Sequence, residues 1–329
     1  MNTFNDIIGY DDIKEHFRLS IRSSKISHAY IINGQKGMGK KLIGNIFAKT
    51  LQCIEEKDNP CNQCTSCKQY DSENNPDVVF VKSTKLKSIG VDDIRSQINQ
   101  DIYIKPYSYK YKIYMIDEAE KLTEQAQNAL LKTIEEPPTY GIIILLVNNI
   151  FKLLPTILSR CVVINLKPIE DVKIKKYLIE NNNIDEVDAN IYVAMSQGII
   201  GRAKELALSD DFNKMRKECV SLLIKLNTLS INEILDRASK IDEYKDRIEE
   251  YLDIILTWYR DILVLKSTNT NNKLIHKDYY NYLLKASNDL TYNKIGNTIK
   301  KIEETKKMIL NNVNYQLSME SLLLNIKES

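Results

Sequence analysis

A glycine-rich segment between a short apolar run and an amphipathic one limits the folds open to this chain. The run Ala29–Ile32 precedes the sequence GQKGMGKK at residues 34–41, and Lys40–Leu51 places its apolar side chains on one helical face. A strand, a glycine turn and a helix in this order predict a phosphate-binding loop. Its backbone amides and one ammonium group would surround a polyphosphate, through Gly34, Gly37, Gly39 and Lys40. The alternative is a strand-to-helix turn that binds no nucleotide.

The last position of this loop departs from the motif. Lys41 stands where a serine or threonine would ligate Mg²⁺, so the loop lacks a metal ligand and gains a cation. An ammonium about 5 Å from a divalent ion costs several kcal/mol even at an effective dielectric constant near 20. The sequence therefore predicts descent from a nucleotide-binding fold without a Mg²⁺ site. It leaves open whether ATP binds at all.

Two acidic residues follow the apolar run Ile113–Ile116. Asp117 and Glu118 have the Walker B arrangement, in which the first acid positions Mg²⁺ and the second polarises the attacking water. The alternative is an acidic helix N-terminus that the helix dipole stabilises. Because the pair follows a buried strand after the glycine loop, we assign Asp117 and Glu118 to the same degenerate nucleotide site.

The alternation of apolar runs and amphipathic segments in the first half is typical of a parallel sheet covered by helices. After Pro168 the strand-like runs stop and helical periodicity takes over. We therefore expect an α/β nucleotide-fold domain at 1–167, a small helical domain at 168–208 and an all-α bundle at 209–329. One long helix is expected at Glu118–Glu136, before two prolines. The predicted strands are Ala29–Ile32, Val78–Val81, Ile113–Ile116, Ile142–Val147 and Val162–Leu166.

Four of the six cysteines lie close together in the chain. Cys53, Cys61, Cys64 and Cys67 have the spacing C-x7-C-x2-C-x2-C, and two-residue spacers place successive thiolates on the same side of a tight turn. Such a set predicts a structural zinc site, because four protein ligands leave no open position for catalysis. Metal-free thiols are the alternative. Clustered thiols and the lack of a secretion signal favour the cytoplasm.

Composition gives little sign of a nucleic-acid or membrane surface. The net charge is +2, so any nucleic-acid contact must be a local patch. The longest apolar run, Ile142–Val147, is too short to cross a bilayer. A basic, tyrosine-rich stretch could contact phosphates or be a solvated face, and no individual residue in it is assigned. It contains Lys82, Lys85, Lys87, Arg95, Lys105, Lys110 and Lys112, with Tyr103, Tyr107, Tyr109 and Tyr111.

Longer motifs make the chain resemble the AAA+ subunits of bacterial sliding-clamp loaders. They are DEAEKLT at 117–123, AQNALLKTIEEPP at 126–138 and LLPTILSRC at 153–161, with FNDIIG at 4–9, HAY at 28–30 and the four-cysteine insert. The resemblance implies an AAA+ domain with a zinc insert, a helical lid and a helical collar. It also implies a pentameric ring with the motor subunits (gamma/tau) and the delta subunit, which places the β sliding clamp on primed DNA at the nucleoid-associated replisome.

Departures from the motor subunits favour the stator-like member of this family, which has no enzymatic turnover of its own. Residues 198–203 read GIIGRA, which puts Gly201 where motor subunits carry a phosphate-sensing arginine and leaves Arg202 one residue away. The resemblance makes Arg160, in the SRC motif, an arginine that acts in trans on the neighbouring subunit's nucleotide. A surface arginine held by an acid is the alternative. The rival functions are an active motor ATPase and a zinc-dependent DNA-binding factor.

Overall fold

The computed structural model describes residues 3–55, 57–85, 87–271, 273–311 and 313–328. The chain forms two compact units: Met1–Ile174 with Gly198–Gly201, and Lys175–Gln197 with Arg202–Ser329. Residues 168–208 are shared between these units. The division into three domains at 167/168 and 208/209 therefore stays a prediction.

The first unit is built on a five-stranded parallel sheet with the strand order β2-β3-β4-β1-β5. Each predicted strand is confirmed, with bounds that agree within one residue. The expected α/β class is therefore confirmed for this unit. The strands are β1 (Ala29–Asn33), β2 (Val78–Phe80), β3 (Lys112–Ile116), β4 (Gly141–Val147) and β5 (Val162–Asn165).

Both faces of the sheet are covered, which explains why its strands read as continuous apolar runs. Ile32 and Ile144 belong to one buried cluster, whereas their neighbours Ile31 and Ile143 belong to the other. Every residue of β4 is buried. Burial of an isoleucine or leucine side chain contributes about 1.5–3 kcal/mol, so β4 and its neighbours hold the carboxyl edge of the sheet in place.

The helices of the first unit differ from prediction at one point. A single helix over Glu118–Glu136 is wrong: Glu118 has a left-handed backbone (φ +51°), and a 3₁₀ turn follows at Ala119–Lys121. The Thr123 hydroxyl then accepts a hydrogen bond from the Ala126 amide, so a new helix begins at Glu124. The helices are α1 (Asp11–Arg22), α2 (Lys40–Gln52), α3 (Thr65–Asp71), α4 (Val91–Ile94), α5 (Glu124–Glu135) and α6 (Pro155–Leu158).

The described residues after β5 form helices and no strand, which confirms the expected all-α region. In the second unit α12 is central, because it packs against α10, α13 and α14 and buries Leu252, Ile255 and Ile262. The helices are α7 (Asp171–Asn182), α8 (Glu186–Ser196), α9 (Ile200–Ala207), α10 (Asp210–Lys225), α11 (Ile231–Lys240), α12 (Ile248–Thr268), α13 (Tyr280–Asp289), α14 (Tyr292–Leu310) and α15 (Tyr315–Glu328). Among the described residues, no helix has both the length and the apolarity needed to cross a membrane.

Candidate functional site

The predicted phosphate-binding loop joins β1 to α2. Gly37 and Gly39 both have φ of +89°, a backbone conformation that side chains disfavour. Gly39 is the N-cap of α2, so the loop leads directly into the helix N-terminus. The strand–loop–helix context that a phosphate site requires is therefore present.

The ammonium of Lys40 is already saturated with internal acceptors. It donates to the carbonyl oxygens of Gly34 (2.8 Å) and Gln35 (3.0 Å) and to Oδ1 of Asn148 (2.7 Å). An ammonium has three N–H donors, so all of them are used. Burial lowers the pKa of Lys40, and nearby carboxylates, Glu120 foremost, act in the opposite direction. A phosphate would have to displace these partners to reach the lysine.

Asn148 and Glu120 belong to this site, although neither is among the residues assigned to it from the sequence. The Asn148 amide N–H donates to Glu120 Oε2 at 3.1 Å, and its side-chain Nδ2 donates to Glu120 Oε1. Asn148 directly follows β4, which pairs with β1, so sheet order brings it to Lys40. That neighbourhood could have been inferred from the two strands once their pairing was assumed. A continuous series of hydrogen bonds thus connects Glu120, Asn148 and Lys40 across the end of the sheet.

The two predicted Walker B acids are paired with lysines. Lys41 Nζ lies 3.7 Å from Asp117 Oδ2, with both side chains at least half exposed. Glu118 pairs with Lys121. Exposed pairs of this kind contribute about 0–1 kcal/mol, so they hold no rigid geometry. Their effect is chemical, because a cation stands beside the carboxylate that would ligate Mg²⁺.

The backbone at Gly201 lies directly against the glycine loop within the first unit. Its N–H donates to the Gly37 carbonyl oxygen at 3.0 Å. A Cβ at position 201 would lie 2.6 Å from that oxygen and 2.8 Å from Gly37 Cα. No side chain fits at this separation, and therefore no phosphate-sensing arginine does. Arg202 instead forms an ion pair with Asp253 at 3.1 Å, within the second unit.

The four clustered cysteines come together as predicted. Their Sγ atoms all lie within 4.8 Å of one another, and those of Cys61 and Cys67 are 4.0 Å apart. A tetrahedral zinc with Zn–S bonds of about 2.3 Å requires sulfur separations of about 3.8 Å. The donor set therefore fits zinc with little movement, through Cys53, Cys61, Cys64 and Cys67.

Backbone amides and one helix terminus support the cysteine cluster. N–H groups donate to the Sγ atoms of Cys53 (3.4 Å), Cys61 (3.3 Å) and Cys64 (3.4 Å). Hydrogen bonds from backbone amides lower the pKa of Cys61 to about 6, whereas burial raises the pKa of Cys53 and of Cys67. Cys64 is the N-cap of α3, and its Sγ accepts the hydrogen bond from the Cys67 N–H.

The insert that carries these cysteines is also tied to α2 without metal. Lys49 is 3% exposed and donates to Asp71 at the end of α3 and to Asn62 between the cysteines, each at 2.7 Å. A buried ammonium needs such partners, because leaving it unpaired is costly. No sequence pattern marks Lys49, since its partners lie in a loop and a different helix.

Arg160 lies just after α6 and forms an ion pair with Glu135 at the end of α5. Its Nε is 2.9 Å from Glu135 Oε1, with side chains 41% and 45% exposed. Within its own chain, Arg160 therefore contacts an acidic residue, which is the contact that the alternative interpretation describes. An exposed pair is weak, so this contact does not prevent a second acceptor from binding. The role of Arg160 in trans stays a prediction.

The basic stretch is only partly a surface patch. Lys112 is buried and donates to Asp101 Oδ1 at 2.7 Å, which removes it from any phosphate-contacting set. Tyr107 is 87% exposed and Tyr103 is 52% exposed.

Comparisons with known proteins agree with this arrangement. Residues 9–170 match the family described as DNA polymerase III, delta subunit, and residues 210–328 match its C-terminal family. The Bacillus subtilis DNA polymerase III subunit delta' is 31% identical over 314 residues, covering 94% of this chain and 93% of that protein. The Haemophilus influenzae subunit tau/gamma is 31% identical over 234 residues, covering 70% of this chain and 33% of that protein.

Two solved structures are similar to this chain at lower sequence identity. A Thermotoga maritima gamma subunit-related protein has a TM-score of 0.44 and 19% identity, covering 95% of this chain and 98% of that one. The Bacillus subtilis clamp loader delta protein has a TM-score of 0.34 and 12% identity, covering 96% and 100%.

Proposed function

Since this chain belongs to the family of DNA polymerase III delta-prime subunits, we propose that it is the stator-like member of a clamp-loader ring. It helps to open the β sliding clamp and to place it on primed DNA, and it has no enzymatic turnover of its own. Its partners are the motor subunits (gamma/tau) and the delta subunit. It works in the cytoplasm, at the nucleoid-associated replisome.

The observation that carries this proposal is that polar groups of the glycine loop are already hydrogen-bonded within the chain. All three N–H donors of Lys40 have internal acceptors, and the Gly201 backbone is bonded to Gly37. Hydrogen bonds to a charged group contribute about 1.5–3 kcal/mol each, so a nucleotide must replace a stabilised arrangement. Lys41 beside Asp117 opposes Mg²⁺ as well. These features support a subunit that keeps the architecture without hydrolysis.

Arg160 is the group that we assign to chemistry on a neighbouring subunit. A guanidinium can donate two hydrogen bonds to a γ-phosphate as charge develops in the transition state. The Arg160 side chain is 41% exposed and therefore accessible to a second protein. The glycine loop of its own chain has Lys41 in place of the hydroxyl that would ligate Mg²⁺, which favours action in trans.

Zinc has a structural role in this proposal. Cys53, Cys61, Cys64 and Cys67 would hold the ion, whose four thiolate bonds stabilise the insert and leave no position for substrate. Lys49 anchors the same insert to α2 through Asp71.

Reconstitution tests the proposed function. Motor subunits and delta subunit are mixed with or without this chain, and clamp loading on primed DNA is measured. We expect loading to require this chain, whereas the isolated chain hydrolyses no ATP. Loading at full rate without it would contradict the proposal. Brisk hydrolysis by the isolated chain would favour the motor ATPase, and DNA binding that chelation abolishes would favour the zinc-dependent DNA-binding factor.

A further inference from the structure

The guanidinium of Arg160 is held at two of its three nitrogens. Nε faces Glu135 Oε1 at 2.9 Å, and Nη1 donates to the Thr156 carbonyl oxygen (3.1 Å) and to Ser159 Oγ (3.2 Å). Nη2 donates no hydrogen bond to any residue that the structure describes. These contacts fix the plane of the group and leave Nη2 available for an external acceptor.

The backbones on both sides of this contact are held by one hydrophobic cluster. Glu135 is the last residue of α5, next to the buried Ile134. Arg160 follows α6, whose Ile157 is fully buried, and both isoleucines belong to the same cluster. A cation is also favoured at the C-terminal end of a helix such as α5. The position of the guanidinium is therefore set by packed elements and not by its exposed side chain alone.

We propose that Glu135 is the positioning residue for Arg160, an inference that rests on the proposed role of Arg160 in trans. A free arginine side chain loses much rotamer freedom when it binds. Glu135 removes part of that freedom before the neighbouring nucleotide arrives, so less is lost in the transition state. Because both side chains are nearly half exposed, solvent screens the pair and Nη2 keeps its attraction for phosphate.

The test uses reconstituted clamp-loader complexes. The readout is the rate of clamp- and DNA-stimulated ATP hydrolysis in excess of the rate that Arg160→Ala complexes retain. Glu135→Ala should lower this excess rate about 2- to 5-fold, with KM for ATP unchanged, because solvent-screened ion pairs have modest effects. Glu135→Gln should lose less, since its amide oxygen keeps a partial negative charge facing Nε. Glu136→Ala is the matched control: the residue is exposed and its side chain forms no ion pair or hydrogen bond with the described residues.

A double-mutant cycle separates positioning from a general structural effect. In the Arg160→Ala background, Glu135→Ala should have no further effect on hydrolysis. A persisting loss there would show that Glu135 acts through the fold and would overturn the proposal. So would wild-type activity of Glu135→Ala, or activity above wild type, which would mean that Glu135 restrains Arg160. If Arg160→Ala itself changes nothing, the proposed role in trans fails first, and the inference fails with it.

Discussion

The backbone N–H of Gly201 donates to the carbonyl oxygen of Gly37, with 3.0 Å between the two atoms. This bond joins the segment that would carry a phosphate sensor to the loop that would carry the phosphate. It replaces an arginine-to-nucleotide contact with a contact that needs no ligand. A glycine is required at position 201 because a Cβ there would lie 2.6 Å from the Gly37 oxygen.

Gly201→Ala should destabilise the first unit. The added methyl group must push the two backbones apart, and such overpacking costs about 1–3 kcal/mol. Urea unfolding followed by circular dichroism measures the change in the free energy of unfolding. Gly296→Ala is the control, since Gly296 lies in α14 and no atom lies near the added Cβ. This substitution should raise the free energy of unfolding by about 0.5–1 kcal/mol. Equal effects at the two positions would contradict this account.

Lys41→Thr should restore the missing hydroxyl without restoring hydrolysis. The change removes the cation near Asp117, but Lys40 keeps its three internal acceptors and Gly201 stays on Gly37. Stability should change by about 0.5 kcal/mol or less, because the lost pair is exposed. A steady-state ATPase assay on the isolated chain measures the outcome. Hydrolysis that appears in Lys41→Thr and disappears on adding Lys40→Ala would show that position 41 alone blocks the site.

Zinc should be bound at one ion per chain. Cys64→Ser should release the metal and loosen the insert, while the parallel sheet stays folded because its clusters exclude this residue. Elemental analysis of reduced, purified protein measures the stoichiometry. Cys161→Ala should keep its zinc, since Cys161 is not part of the cluster. Wild-type protein with well under one zinc per chain would rule the site out.

Arg160→Ala should leave the isolated chain folded and reduce the activity of the assembled ring. The lost ion pair with Glu135 is exposed, so the free energy of unfolding should change by about 1 kcal/mol or less. An arginine that completes a phosphoryl-transfer site can contribute a factor of about 10³–10⁵ in rate. Other sites of the ring have their own arginine, so the total hydrolysis rate of the ring should fall by less. Clamp-stimulated ATP hydrolysis and clamp loading are the measurements. Wild-type rates from fully assembled mutant complexes would exclude the role in trans.

Stability of the second unit should fall as the pH drops below about 6.5. Burial, with the charges of Arg216 and Arg260, lowers the pKa of His276 to about 3. Arg216 donates to Nδ1 (3.4 Å), which leaves Nε2–H for the Thr257 hydroxyl (3.0 Å). The folded state thus holds the neutral ring, while the unfolded chain binds a proton below pH 6.5.

Between pH 6.5 and 3 the unfolded state binds more protons, so His276 contributes stability that is lost on acidification. The loss is about 1.4 kcal/mol per pH unit. Urea unfolding at pH 7, 6 and 5 measures the slope. His276→Gln should unfold more easily at pH 7 and show a shallower slope between pH 6 and 5. The same slope in both proteins would assign the pH dependence to other groups.

Much of the fold could be predicted from sequence because its signals are local. β1 and β4 are buried on both faces, and burial of every side chain leaves a continuous apolar run that can be recognised in the sequence. The cysteine spacing predicted the cluster for the same reason, since its members are separated by few residues. The break at Glu118–Thr123 was missed because a left-handed residue inside acidic, helix-favouring sequence has no reliable local mark.

The sequence by itself determined the parallel-sheet domain, the helical region after it, the members of the cysteine cluster and the family. Only the tertiary structure decided what each site residue touches. Lys40 and Asn148 are 108 positions apart in the chain, and Gly201 meets Gly37 only because a later segment returns to the first unit. Arg160 meets Glu135 through the packing of α5 and α6. Such contacts depend on the three-dimensional course of the backbone, and periodicity and spacing carry no information about it.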